Sequence, residues 1–499
     1  MFSIKNISIT LLFFLLAVSF SARIAYAVAP SDDVITKWKK DGVYGKKMEM
    51  LDDFHKRGGC SPVENIFHKN NKSLATGVDV VDTIRVLVLL VDFSDHPADG
   101  QALFGTPADF DSILFSEGYH NPTGSMTDYY LENSYGKLFI QGEIFGWYRM
   151  PLTYAQYTGG GSGIQMTTPN SQTLVNDAIT IADSDVDFSK YDFNNDGVCD
   201  GVIVIHSGPG AEGTGSDDDI WSHKWNIPAK RTLDGVDVYN YNINPEEYIK
   251  FGGTELSPIG VFCHEYGHFL GLPDLYDTDY YPESSDGLGK WSLMASGNYN
   301  GDSKLPAHFD PWCKNQLGFL NLIDVTANLY NIDILQVETS PTAFKLHNSL
   351  TGPDEYFIVE NRQQVGFDKA LPGNGLLIYH VDETRKSISQ NNDYTRYWVG
   401  LEQADGNDQL AFAVNNSGDN GDPFPGFTNK REFNFFSIPN SDLYDGEPSQ
   451  VSVWNISNSD SIMNADLDIA YSRPWIETTG INPFVMADAD ADGILEAGE

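Results

Sequence analysis

His264-Glu265-Tyr266-Gly267-His268-Phe269-Leu270-Gly271-Leu272-Pro273-Asp274 is the stretch on which the reading of this chain turns. Residues four apart on an α-helix lie one turn above each other on one face, so the imidazoles of His264 and His268 can reach a single ion. Glu265, beside the first histidine, can reach a water on that ion and act as a base. The preceding residues read as a helix start, with Ser257 as N-cap, Pro258 at the first helical position, and apolar Ile259, Val261 and Phe262 for the far side. Past His268, Gly271 can take the positive φ that ends a helix and turns the chain. Asp274 is then placed to swing back as a third ligand. Carboxylate oxygen is an accepted zinc ligand, and three protein ligands leave a fourth position for water, the catalytic rather than the structural arrangement. Asp274 could instead cap a turn with Asp277, and Glu246, Asp277 and Asp279 are acidic alternatives for the third place.

Downstream, Trp291-Ser292-Leu293-Met294-Ala295-Ser296-Gly297 sets a methionine among small residues. A methionine between Leu and Ala is ordinarily core filler. Behind a zinc-type helix it resembles the Met-turn that underlies the metal site of metzincins. Other segments extend the match: Ser125-Met126-Thr127-Asp128-Tyr129-Tyr130 through Ser134-Tyr135-Gly136-Lys137, Asp196-Gly197 through His206-Ser207-Gly208-Pro209-Gly210-Ala211-Glu212, and Ile220-Trp221-Ser222-His223-Lys224-Trp225. Beyond the helix it continues through Glu360-Asn361-Arg362-Gln363 and Leu376-Leu377-Ile378-Tyr379-His380-Val381-Asp382. Over residues 80 to 470 the chain resembles the immune inhibitor A-like metallopeptidases, a secreted bacterial family of metzincin type. The resemblance implies zinc on His264, His268 and Asp274, Met294 as the Met-turn residue, and Glu265 as the catalytic base of an endopeptidase that needs no covalent acyl-enzyme. His206, Glu212 and His223 either line the cleft or serve as structural groups.

The first residues, Met1-Phe2-Ser3-Ile4-Lys5 and an apolar run from Ile9 to Phe20, end at Ala25-Tyr26-Ala27, the pattern of a signal peptide cleaved before Val28. An uncleaved anchor is the alternative, although the run is short for a membrane span. The expected product is an exported protein without stable membrane insertion. Acidic residues number 70 against 31 basic, for a formal net charge of −39. Nucleic acid or an anionic membrane would repel such a chain, so protein or peptide substrates are the expected partners. Four cysteines, Cys60, Cys199, Cys263 and Cys313, allow three complete disulfide pairings, and spacing does not choose among them. Cys263 reads as core or disulfide. Cys60 is a candidate thiolate latch on zinc.

Organisation along the chain follows from texture. After the signal peptide at 1–27, residues 28–80 are polar with little apolar periodicity and read as a prosegment. Asp82-Thr83-Ile84-Arg85-Val86-Leu87-Val88-Leu89-Leu90-Val91-Asp92-Phe93 and Gly201-Val202-Ile203-Val204-Ile205-His206 are continuous apolar runs suited to buried central strands, with a helix expected between them over 171–183. This predicts an α/β metzincin-like zinc peptidase catalytic domain over 81–320. From 321 to 472, short β-rich runs divided by Gly, Pro, Asn and Asp predict an all-β, sandwich-like domain. His380 and Asp382, at a strand end there, read as a packed or solvated pair rather than a second active site.

Calcium is the second chemical signal. Asp192, Asn194, Asp196 and Asp200 place oxygens around Gly197 as a calcium loop needs, with an Asn/Asp-rich turn as the alternative. The tail at 473–499 ends in a twelve-residue EF-hand-like loop with Asp488, Asp490, Asp492, the Ile494 carbonyl and Glu499 as ligands. The rival readings are a calcium-organised extracellular binding protein with a degenerate peptidase unit, and a zinc amidase acting on non-peptide amides.

Overall fold

The computed structural model describes residues 28–58, 82–100, 103–118, 123–250, 253–278, 285–386, 391–412 and 416–470, with backbone alone for 476–479 and 482–485. The expected signal peptide, Cys60, Asp279 and the EF-hand-like loop of Asp488, Asp490, Asp492, Ile494 and Glu499 lie outside the described residues.

The apolar run before Phe93 forms β1 (Asp82–Asp92), an interior strand of a six-stranded mixed sheet. It runs parallel to β2 (Leu138–Arg149) on one side and β3 (Val202–Pro209) on the other. Next come β5 (Val236–Lys250), parallel to β3, and then β4 (His223–Leu233), antiparallel to β5; β6 (Gly253–Leu256) also pairs antiparallel with β5. The continuous hydrophobicity of β1 has a direct cause. Ile84, Val86, Val88 and Leu90 face one apolar cluster, while Leu87, Leu89 and Val91 face another on the opposite side.

Helices cover both faces. In chain order those of eight residues or more are α1 (Asp32–Asp41), α2 (Tyr44–Lys56), α3 (Pro107–Phe115), α4 (Met126–Asn133), α5 (Ser171–Ala182) and α6 (Ile259–Phe269). The capping boxes Thr106/Asp109, Ser125/Asp128 and Asn170/Thr173 start α3, α4 and α5. The expectation of little periodicity after residue 28 is corrected here. Val34 and Trp38 of α1, and Met48, Leu51 and Phe54 of α2, make one apolar stripe that joins the second cluster.

In the β-rich part, β12 (Val399–Leu401), β11 (Gly375–Asp382), β10 (Glu355–Arg362), β9 (Thr342–Leu346) and β7 (Asn321–Val325) form a five-stranded sheet in that order. A three-stranded sheet, β13 (Ser452–Trp454), β14 (Ile462–Asp468) and β8 (Leu329–Leu335), shares a core with it. Alternation divides β10 and β11 between two cores. Phe357, Val359, Leu376 and Ile378 face the smaller sheet, whereas Tyr356, Ile358, Leu377, Tyr379 and Val381 join the cluster around α4 and α6.

A buried charge network lies across the same seam. Arg362, fully buried, donates from Nε and Nη2 to Asp368 at 2.9 and 2.8 Å and from Nη1 to Glu360 at 3.1 Å. His308, whose backbone N–H donates to Asp368 at 2.8 Å, also pairs with Glu132 of α4 at 2.8 Å. His380 and Asp382 have separate roles: His380 lies 3.0 Å from Glu355 and stacks on Tyr444 at 3.9 Å, while Asp382 accepts from Arg396 at 2.6 Å.

Candidate active site

The site is built on α6, every residue of which is buried. Its cap differs from expectation by one position: Pro258 is the N-cap and Ile259 the first helical residue, since Pro258 holds the extended conformation (ψ 176°) that precedes a helix. The far end behaves as read, with Gly271 at φ 95° carrying the chain out of the helix. Two long-range anchors fix the helix. Tyr130 Oη of α4 donates to the Cys263 carbonyl at 2.7 Å, and the Gly260 N–H donates to the Ser303 carbonyl at 2.8 Å.

The turn holding Met294 lies against this helix. A β-carbon on Gly267 would come within 2.6 Å of Met294 Sδ, so glycine here lets the methionine pack close against the helix. The same turn orients the ligands. His264 Nδ1 lies 2.8 Å from the Leu293 carbonyl, and the Leu275 N–H donates to the Met294 carbonyl at 2.7 Å, which fixes the loop carrying Asp274. His268 Nδ1 lies 2.9 Å from the Leu272 carbonyl. A carbonyl can only accept, so both Nδ1 atoms carry protons and both Nε2 atoms present lone pairs.

Those lone pairs converge with Asp274. His264 Nε2 is 3.0 Å and His268 Nε2 3.7 Å from Asp274 Oδ1, values that bracket the ~3.3 Å edge of a tetrahedron with ~2.0 Å metal–ligand bonds. This is the only cluster of its kind among the described residues. All three side chains are fully buried, and His264 Nε2, His268 Nε2 and both Asp274 oxygens lack a hydrogen-bond partner. An unpaired buried carboxylate costs several kcal/mol, as does each buried acceptor left empty, so the donor set fits a cation and is costly without one. The pKa shifts agree. Burial pushes the Asp274 carboxyl up to about 6 and the Glu265 carboxyl up to about 8. Burial also opposes the charged form of His264, but the neighbouring Asp274 prevails and its pKa is raised. His268 is held well below its ordinary value by burial and by His264.

The competing acids lie elsewhere. Glu246 accepts from the Gly105 and Gly208 N–H groups at 2.7 and 3.2 Å, and Asp277 accepts from the Ser285 N–H at 3.0 Å. Glu212 is held by Ser222, and His223 by the Trp221 carbonyl and Tyr241. Cys199, Cys263 and Cys313 are free buried thiols. In the 192–200 loop, the Asp192 carboxylate accepts from the Asp196 and Gly197 N–H groups at 3.0 and 2.9 Å, and the Asp200 carboxylate accepts from Phe193 at 2.5 Å. The loop thus closes with its own hydrogen bonds. Asn194 Oδ1 likewise accepts from the Asp196 N–H at 2.9 Å.

Residues missed by sequence reading complete the cleft. Val28 is fully buried beside Glu265, its carbonyl accepting from Trp221 Nε1 at 3.0 Å, and Tyr299 Oη donates to the Ala29 carbonyl at 2.5 Å. Helices α1 and α2 follow, with Trp38 Nε1 donating to the Gly215 carbonyl at 3.1 Å and Lys47 paired with Asp217. The spacing of Val34 and Trp38 was the signal available for α1.

An α/β unit that presents two helical histidines, an aspartate and an adjacent glutamate in this geometry defines the class of metallopeptidases. The chain belongs to the immune inhibitor A peptidase M6 family, whose catalytic-domain model matches residues 71–320, half of its length. It is 31% identical over 337 residues to the pre-pro-metalloprotease PrtV of Vibrio cholerae serotype O1, covering 59% of this chain and 36% of that protein. To immune inhibitor A of Bacillus thuringiensis subsp. alesti it is 31% identical over 273 residues, covering 46% of this chain and 38% of that protein. A putative secreted metallopeptidase of Arthroderma benhamiae is 24% identical over 270 residues, covering 44% of this chain and 38% of that protein. The chain spans little more than a third of the length of these curated relatives. No helix among the described residues is long and apolar enough to cross a membrane.

Proposed function

We propose that this protein is an exported, zinc-dependent endopeptidase made as a precursor, with a metzincin-like catalytic domain over 81–320 and a sandwich-like domain over 321–472. What carries the reading is the set of partnerless buried atoms, His264 Nε2, His268 Nε2 and the Asp274 oxygens, aimed at one point. When bound there, zinc supplies a Lewis acid that polarises the scissile carbonyl and activates water. The chain's own residues do the rest. Glu265 takes a proton from the attacking water and hands it to the departing amine, so the carbon–nitrogen bond breaks without an acyl-enzyme. The Leu293 and Leu272 carbonyls keep both imidazoles in the tautomer that leaves Nε2 free. The relatives named as metalloproteases support the same activity.

Residues 28–58 are read as part of the prosegment, a reading supported by Val28 beside the fully buried Glu265. Calcium is proposed at the 192–200 loop and at the 488–499 loop as a stabilising rather than catalytic ion. Its removal by a calcium-selective chelator is expected to lower the thermal midpoint while zinc stays bound.

The deciding experiment compares wild type with Glu265→Ala for zinc content and casein cleavage. Zinc should remain near one equivalent in both, and cleavage should fall by at least a thousandfold in the variant. Activity close to wild type would remove Glu265 from the mechanism.

A further inference from the structure

The cleft beside Glu265 holds a stretch of the chain itself, gripped by its backbone. Three contacts grip this stretch in succession: Trp221 Nε1 donates to the Val28 carbonyl at 3.0 Å, Tyr299 Oη to the Ala29 carbonyl at 2.5 Å, and the Ser31 N–H donates to the Glu212 carbonyl at 3.2 Å. None of these bonds involves a side chain of the bound stretch, so any extended peptide could form them. At its start, the Val28 N–H is directed at the Glu265 carboxylate, short of a full hydrogen bond to either oxygen.

That contact sets the register. A glutamate that passes a proton to the departing amine must face the nitrogen of the first residue after the cut. The Val28 nitrogen takes that place, so Val28, Ala29 and Pro30 trace the path of the leaving half of a substrate. The side chains there are small and apolar. Val28 is fully buried in the same cluster as Val261 of α6, Ile220 and Trp221, and Ala29 is 8% exposed. An interior packed to this density resists a large aromatic ring, and the nearby carboxylates of Glu265, Asp274 and Glu212 disfavour an acidic side chain.

Resting on the peptidase reading, we propose that Trp221 and Tyr299 are positioning residues that hold the carbonyls of the first and second residues after the scissile bond, and that the site selects peptides with a small aliphatic residue directly after the cut. Glu212 contributes its backbone carbonyl to the same strand, one hydrogen bond further along. Selectivity thus comes from the size and charge tolerated at the first position, and affinity from the backbone.

The test uses the full-length protein after its own maturation and a library of internally quenched peptides varied at the first residue after the cut. Wild type should favour Val, Ala and Ile over Asp, Glu and Trp by at least tenfold in kcat/KM. Trp221→Phe removes one donor but keeps a ring, and should raise KM about tenfold with little change in kcat, the equivalent of one hydrogen bond. Tyr299→Phe should do the same only on substrates that extend to a second residue after the cut, leaving those that end in an amide after the first unaffected. A flat wild-type profile, or a Tyr299→Phe loss equal on both substrate lengths in a variant that melts like wild type, would overturn the proposal. If Tyr299→Phe melts early, the wild-type profile and Trp221→Phe decide alone. Absence of any peptide cleavage by wild type would take down the peptidase reading as well, whereas cleavage without the profile sinks only this inference.

Discussion

A β-carbon at position 260 would lie 2.0 Å from the Asn298 carbonyl oxygen and 2.9 Å from Ser303 Oγ. Alanine improves helix propensity over glycine by about 1 kcal/mol, but a clash with a backbone carbonyl cannot be relieved by rotating a side chain, and overpacking costs about 1–3 kcal/mol. Gly260→Ala is therefore expected to be net destabilising and to lower zinc retention, read as a reduced urea midpoint and reduced metal content after dialysis. An unchanged midpoint would show that the turn after Met294 is softer than its packing implies. Asp274→Ala should release zinc at concentrations where wild type stays loaded, and full retention with full turnover would remove Asp274 from the ligand set. At this scale the sequence was legible where the chemistry is local. His264, Glu265, His268 and Gly271 are related by helical geometry alone, and spacing reports that. Trp221 and Tyr299 act through segments of chain that fold together from far apart, and no pattern around either residue announces the meeting.

Among the elements, α6 depends on neighbours more than on its own sequence, since it is buried all round and has no side-chain cap. Tyr130→Phe removes the hydroxyl that meets the Cys263 carbonyl while keeping the ring, and should cost about 1 kcal/mol. Differential scanning calorimetry would register this as a modest fall in Tm, and a Tm equal to wild type would mean that the bond is replaced by water. Central strands β1 and β3 were readable because burial on both faces leaves an unbroken apolar run. Helices α1 and α2 were harder to see. Their stripe is spread among twelve lysines and acids across both elements, and only Val34, Trp38, Met48, Leu51 and Phe54 mark the apolar buried side.

For the whole molecule, acid should loosen the cover on the cleft. His55 of α2 is buried against the Thr278 carbonyl, and burial depresses its pKa to about 3 from an ordinary 6.5. Between those values the released segment binds a proton that the docked one does not. Docking is then fully stable above pH 6.5 and weakens as pH falls, by up to about 1.4 kcal/mol per unit. Hydrogen exchange of α2 should therefore accelerate between pH 6.5 and 4.5 beyond the change in intrinsic rate, and His55→Gln should flatten that response. Equal protection at both pH values would overturn the assignment. His206 and His223, also held near 3 by burial, extend the same sensitivity to the catalytic core.

Strands β10 and β11 give one row of side chains to each of two cores, and Arg362 on β10 reaches Asp368 and the Trp291 carbonyl from full burial. The catalytic half therefore has no closed surface of its own on that side. A chain ended near Leu320 would strip Trp312 of its contacts with Trp398 and Glu383, and would take the Asp368 carboxylate from beside Lys314 and His308. The proteolytic unit is not a cartridge that can be moved between architectures. Transplanted to another architecture, it would need the β-rich segment, or an apolar face of equal shape, against α4 and α6.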